Sequence, residues 1–154
     1  MNPRLLLVDD EEMFLEYLSK RLIRQKYHVT TCLNGEDAIE KIKVSDFDVA
    51  IIDVIMPGID GIETMREIKK IKPLTEAIIL TGHASRELGV EGMRLGAYDY
   101  LRKPCDPEDL VIKIKEAFKK TGRAGNTYKD GDVTRFRGID FLPICRYLMV
   151  DHSI

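Results

Sequence analysis

The chain has 154 residues, of which 44% are hydrophobic and 32% charged, and its formal net charge is −2. This length fits one domain or one domain with an appendage, and the charge argues against a protein that coats nucleic acid. No apolar run approaches the roughly 20 residues that a membrane-spanning helix needs, and the N-terminal run 5–8 is too short for a secretory signal. The three cysteines form no CxxC pair, which argues against a disulfide framework or a zinc site and favours the cytoplasm.

Short apolar runs alternate with stretches of helical spacing along residues 1–120. The runs predict strands, in chain order, at 5–8, 29–32, 49–52, 77–80 and 98–101. Helices are predicted after each of them, with apolar residues three or four positions apart, for example at Phe14, Leu18 and Leu22 and again at Leu110, Ile114 and Phe118. Asp106 and Pro107 open the last helix as its N-cap and first helical residue.

Five strands alternating with five helices predict an α/β fold. The expected architecture is a three-layer, doubly wound (βα)5 unit, in which helices cover both faces of a parallel five-stranded sheet. Right-handed crossovers leave few topologies, and the commonest five-stranded one has the flavodoxin-like strand order 2-1-3-4-5. Its ligand crevice lies where the strand order reverses, beside strands 1 and 3.

Polar residues follow four of the predicted strands. Asp9 and Asp10 follow strand 1, Asp53 follows strand 3, Thr81 follows strand 4, and Lys103 comes shortly after strand 5. The carboxyl ends of parallel strands share one edge of the sheet, so we expect these five side chains to meet. Three close carboxylates repel one another, and a hard divalent cation such as Mg²⁺ would relieve that repulsion together with Lys103.

Such a group of side chains suits phosphoryl transfer, in which catalysis consists mainly of positioning and charge neutralisation. A carboxylate can itself act as the nucleophile, and Asp53, alone at the end of the central strand, is the best placed for this role. Asp9 and Asp10 would then hold the metal ion. Thr81 would form a hydrogen bond, and Lys103 an ion pair, with the transferred phosphoryl group.

Four motifs stand in order and at spacings that resemble the receiver domain of two-component response regulators. They are LLLVDDE, IIDVIMPGIDG, ILTGHA and GAYDYLRKP. The resemblance covers roughly residues 3–120 and implies that Asp53 accepts a phosphoryl group from a histidine kinase or a phosphotransfer protein. It also implies a Mg²⁺ site formed by Asp9, Asp10, Asp53 and the backbone carbonyl of Ile55, with Asp10 the more direct ligand of the first two, and a cis peptide bond at Lys103–Pro104.

The resemblance further implies a phosphorylation switch without enzymatic turnover of an external substrate. Thr81 and Tyr100 would be the switch pair, Thr81 moving toward the phosphoryl group and the ring of Tyr100 swinging inward. The output would be a contact of helix 4, strand 5 and helix 5 with a downstream protein or with a second copy of the chain. Ile55 and His83 occupy positions that tune the lifetime of the phosphoryl group, and the apolar Ile55 predicts slow self-dephosphorylation.

Two other functions stay open at this point. Phosphatases of the haloacid dehalogenase type also use an Asp nucleophile with Mg²⁺, but they resemble a pattern with a second Asp two residues later, where this chain has Ile55. A phosphate-independent interaction scaffold is the other alternative. The complete set of acids argues against it, whereas failure to bind Mg²⁺ would favour it.

The composition changes near residue 121. Residues 121–138 hold four glycines and few apolar residues, which is typical of a linker. The apolar stretch 139–150 contains Pro143 and no basic recognition helix, so we expect no direct DNA binding. We expect a receiver domain at 1–120 and a tail at 121–154 that docks on the receiver or on a partner, or else is disordered.

Overall fold

The computed structural model of the protein describes residues 2–83 and 85–123, which form a parallel sheet with helices on both faces. The strands are β1 (Arg4–Val8), β2 (His28–Cys32), β3 (Val49–Ile52), β4 (Glu76–Thr81) and β5 (Asp99–Arg102). The helices are α1 (Glu12–Arg24), α2 (Gly35–Val44), α3 (Gly61–Ile71), α4 (Arg86–Arg94) and α5 (Pro107–Lys120). The predicted elements are therefore confirmed, and no predicted strand end is wrong by more than one residue.

The strand order is β2-β1-β3-β4-β5, and all neighbours are parallel. This confirms the predicted doubly wound topology, with the order reversing beside β1 and β3. The central strands are buried along their whole length, four residues in β3 and six in β4. Such continuous apolar runs occur in strands covered by helices on both faces, which is why the sequence pattern identified them.

Side chains alternate between the two faces of the sheet and form two cores. Leu6, Ile52 and Ile79 pack with α2 and α3 on one face. On the other face, Leu7, Ile51 and Ile78 belong to a core completed by the helices α1 and α5. The buried residues of α1 are Leu15, Leu18 and Leu22. Phe14, which shares the predicted helical spacing with Leu18 and Leu22, is only partly buried.

The loop between β3 and α3 is held tightly at both of its ends. The Asp53 amide donates to the carbonyl of Val8 at 2.9 Å, and the Gly61 amide donates to the carbonyl of Val54 at 2.7 Å. Asp60 caps α3, its carboxylate accepting from the Glu63 amide at 2.8 Å. The backbone around Asp53 is therefore fixed before any ligand binds.

The predicted cap of the last helix is confirmed, with Asp106 as N-cap and Pro107 in the first turn. α5 ends at Lys120, and the domain boundary near residue 121 stays a prediction because residues 124–154, including the apolar stretch 139–150, lie outside the described residues. Among the helices that the structure describes, none is long and apolar enough to span a membrane.

Candidate functional site

Three acidic side chains meet at the carboxyl edge of the sheet. Val8 of β1 pairs with Ile52 of β3, so the residues that follow these strands come side by side. Asp9, Asp10 and Asp53 each offer a carboxylate oxygen within 4.8 Å of the other two. Asp9 and Asp53 are 3% and 4% exposed, whereas Asp10 faces solvent. The structure thus brings together the three predicted acids, two of them buried.

Lys103, which directly follows β5, contacts this acidic cluster. Its backbone amide donates to the carbonyl of Thr81 at 2.9 Å, and its ammonium donates to Asp9 Oδ2 at 2.6 Å. Glu11 Oε1 lies 3.6 Å from the same ammonium. The Lys103–Pro104 peptide bond is cis, as the resemblance implied. Lys103, the last of the five predicted site residues along the chain, is therefore in contact with Asp9, the first.

The electrostatics of the site follow from one ammonium facing several carboxylates. Burial raises the pKa of the Asp9 carboxyl, although hydrogen bonds from Lys103 and from the Glu11 amide act in the opposite direction. Burial would lower the pKa of Lys103, but the hydrogen bond to Asp9 and the charges of Asp9, Asp53 and Glu11 outweigh it and raise that pKa. Lys103 is therefore charged at neutral pH, and it offers a single positive charge to a cluster of three carboxyl groups.

Asp53 keeps one oxygen without a partner. Its Oδ1 is buried and has no hydrogen-bond partner among the residues that the structure describes. Asp9 and Asp53 both line a small cavity of about 10 Å³. A buried polar atom without a partner is rare in folded proteins and costs about 1–3 kcal/mol. An oxygen in this state is suited to a metal ion or to a transferable group.

The two predicted switch residues lie on the neighbouring strands β4 and β5, and each forms its own hydrogen bond. Thr81, the last residue of β4, is fully buried, and its Oγ1 accepts from the His83 amide at 3.1 Å. The Tyr100 hydroxyl accepts from the Ser85 amide at 3.2 Å. Ser85 is the N-cap of α4 and accepts from the Leu88 amide. Tyr100 therefore links β5 to the beginning of α4.

Ile55 and His83, the predicted lifetime positions, both lie at the surface. Ile55 is in the loop after β3, and its side chain is 50% exposed. His83 is exposed in the loop after β4. The role of the Ile55 carbonyl as a metal ligand stays a prediction.

Sequence reasoning missed two residues beside Lys103. Glu11 adds a second carboxylate, and the ring of Phe14 lies under the ammonium, which is 4.1 Å from the ring centroid. Phe14 lies in the first helical turn after Asp9 and Asp10, which was a weak indication that it is close to the site. Its contact with Lys103 could not be predicted from sequence spacing, because the two residues are far apart in the chain.

The family model of the response regulator receiver domain matches residues 5–115. The chain belongs to this family. The resemblance to a receiver domain, predicted from the four motifs, is confirmed. The match spans β1 to α5 and includes all the acids of the site and Lys103.

Individual relatives of this receiver domain agree in sequence and in fold. The alkaline phosphatase synthesis transcriptional regulatory protein PhoP of Bacillus subtilis is 33% identical over 121 residues, which are 79% of this chain and 50% of PhoP. The chain thus spans about half the length of PhoP. A CheY-like receiver domain protein from Methanospirillum hungatei has a TM-score of 0.77 and 31% identity, covering 81% of this chain and 100% of that one. The beryllofluoride-activated NtrC4 receiver domain dimer has a TM-score of 0.73 and 38% identity over 77% of this chain and 98% of its own.

Proposed function

We propose that the protein acts in the cytoplasm, and that Asp53 accepts a phosphoryl group there from a sensor histidine kinase or a phosphotransfer protein in a reaction that depends on Mg²⁺. The observation that carries this proposal is the buried Asp53 Oδ1, which has no hydrogen-bond partner among the described residues and lies beside two further acids. A carboxylate oxygen of Asp53 attacks the phosphorus atom, and the bond between the donor and the phosphorus breaks. The chemistry of the domain is limited to its own phosphorylation and dephosphorylation.

The oxygen ligands of this site fit a Mg²⁺ ion. When bound, the ion would neutralise negative charge on the phosphoryl group. Both oxygens of Asp9 already accept hydrogen bonds, Oδ2 from Lys103 at 2.6 Å and Oδ1 from the Glu11 amide at 2.9 Å. Asp10 is exposed beside it and is the better placed of the two for direct coordination. Asp53 and the carbonyl of Ile55 would complete the protein ligands.

Phosphorylation would change the charge of a mostly buried site. A phosphoryl group adds about −1.5 to −2 charges at neutral pH. The Lys103 ammonium and the Thr81 hydroxyl are the groups that would respond, and Tyr100 would carry the change to the start of α4 through its bond to Ser85. The output is a contact of the α4, β5 and α5 surface with a downstream protein or a second copy. The solved NtrC4 receiver domain is a dimer in its beryllofluoride-activated state.

Removal of the Asp10 carboxylate should abolish most of the increase in unfolding temperature that Mg²⁺ causes. An ion that binds only the folded state stabilises it by about 2.7 kcal/mol when its concentration is 100 times the dissociation constant. We therefore expect Mg²⁺ to raise the unfolding temperature of the wild type and to have little effect on Asp10→Asn. Thermal unfolding with and without Mg²⁺ measures this.

The matched control for this experiment is Glu12→Gln, which removes an exposed acid from the first turn of α1. It should respond to Mg²⁺ like the wild type. An equal response of Asp10→Asn would place the ion elsewhere. No response of the wild type would favour the scaffold alternative.

Substitution of Ile55 should change the lifetime of the phosphoryl group. An exposed apolar side chain beside the acceptor cannot orient an attacking water, whereas an amide can. One added hydrogen bond of about 1.4 kcal/mol in the transition state corresponds to about tenfold in rate. Ile55→Asn should therefore lose its phosphate about tenfold faster than the wild type, as followed by intact-mass spectrometry after removal of the donor. Ile55→Leu should keep the slow rate, and a lifetime of seconds in the wild type would contradict the prediction.

A further inference from the structure

The ammonium group of Lys103 contacts a carboxylate and lies over an aromatic ring. Asp9 Oδ2 is 2.6 Å away, and the centroid of the Phe14 ring is 4.1 Å away. The side chain of Lys103 is 13% exposed, so little water competes with these two partners. A cation at this distance from a ring is attracted by the negative face of its π-system, and more strongly where solvent is excluded.

The position of Phe14 follows from the packing of α1. The helix buries Leu15, Leu18 and Leu22 against the sheet, which leaves Phe14 at the edge of the buried stripe. The ring lines the cavity that Asp9 and Asp53 also line. It equally lines a wider groove on the outer side, together with Lys103 and Pro104. Phe14 therefore forms part of the wall between the acidic site and the surface groove.

We propose that Phe14 is a positioning residue for Lys103, its ring face holding the ammonium beside the phosphoacceptor. A lysine side chain is a point charge on a flexible stem with several rotatable bonds. Asp9 restrains the ammonium through a hydrogen bond, and the ring of Phe14 adds a second restraint. Without the ring the ammonium would sample positions farther from Asp53. This inference rests on the proposed function, because the phosphoryl group on Asp53 is what Lys103 is positioned to meet.

The contact itself can be tested on the unphosphorylated chain. In a spectrum of the protein with ¹³C-labelled lysine, the ε-methylene protons of Lys103 should be shifted upfield of those of lysines without a ring contact, because the adjoining Nζ atom lies over the Phe14 ring, 4.1 Å from its centroid. Lys103→Arg assigns the signal by removing it. The upfield shift should disappear in Phe14→Leu and persist in Phe14→Tyr. A ring of Phe14 held away from Lys103 in solution would not produce this pattern.

The consequence for the reaction is tested with a small acyl-phosphate donor and Mg²⁺, so that docking of a protein donor does not contribute. Phosphorylation of Phe14→Leu should be about threefold to tenfold slower than that of the wild type, in line with the strength of a partly desolvated cation–π contact. Phe14→Tyr should retain the wild-type rate. The matched control is Tyr17→Leu, which removes an exposed aromatic ring from the same helix and should leave the rate unchanged.

The outcomes separate this inference from the proposed function. The contact would be refuted if the Lys103 ε-methylene protons of the wild type had the chemical shift of other lysines, or if Phe14→Leu left their chemical shift unchanged. Phosphorylation of Asp53 would be unaffected by either result. Equal rates for the wild type and Phe14→Leu, or equal losses in Phe14→Leu and Phe14→Tyr, would overturn the positioning role. Absence of a phosphate adduct on the wild type would refute the proposed function and with it the role of Phe14 in the reaction.

Discussion

Asp53→Asn should abolish the phosphate adduct that the wild-type chain forms with a small acyl-phosphate donor and Mg²⁺. The substitution keeps the shape of the side chain but replaces the nucleophilic carboxylate with an amide. It also removes one of three mutually repelling charges, so we expect no loss of stability to accompany the loss of the adduct. Intact-mass spectrometry after incubation with the donor measures the result directly.

The matched control is Asp109→Asn, which changes an exposed acid in the first turn of α5. It should acquire the phosphate adduct to the same extent as the wild type. An adduct on Asp53→Asn would place the acceptor elsewhere. In that case the buried oxygen of Asp53 would need another explanation.

Gly61→Ala should destabilise the domain by at least about 2 kcal/mol, because a side chain at this position collides with the backbone of the phosphoacceptor. A Cβ atom on Gly61 would overlap the carbonyl oxygen of Asp53 and come within 2.8 Å of the Cα atom of Val54. Neither atom belongs to a flexible side chain, so the loop between β3 and α3 would have to shift. We therefore also expect slower phosphorylation of Asp53 in the fraction that folds. Urea or thermal unfolding measures the change in stability.

Gly82→Ala provides the control for this comparison. Its Cβ would meet no atom of the described residues within 4 Å, although Gly82 follows Thr81 at the same edge of the sheet. We expect its stability to stay within about 0.5 kcal/mol of the wild type, as for most surface substitutions. If Gly61→Ala were as stable as Gly82→Ala, the loop after β3 would be able to relax around the added methyl group.

The strand order and the acidic site were predictable because the signals for them are local. A central strand such as Val49–Ile52 is apolar at every residue, since helices cover it on both faces. Asp53 interrupts that pattern where the strand ends. In a parallel sheet all such ends share one edge, so the meeting of Asp9, Asp10 and Asp53 follows from topology alone.

The sequence by itself therefore determined the (βα)5 architecture, the edge of the sheet at which the site lies and the three acids of the site. These features depend on the periodicity of apolar residues and on the residue that follows each strand, both of which can be read from neighbouring positions in the chain. Only the tertiary structure decided how the partners of Lys103 are arranged. Asp9 and Glu11 lie near its ammonium, and the ring of Phe14 lies under it, whereas the spacing of Phe14 in the sequence predicted only that it belongs to a helix. Likewise only the folded chain shows that Gly61 lies against the backbone of Asp53. These contacts depend on how α1 and α3 pack on the sheet. Side-chain packing between distant segments produces no periodic pattern in the sequence, so it could not be predicted from it.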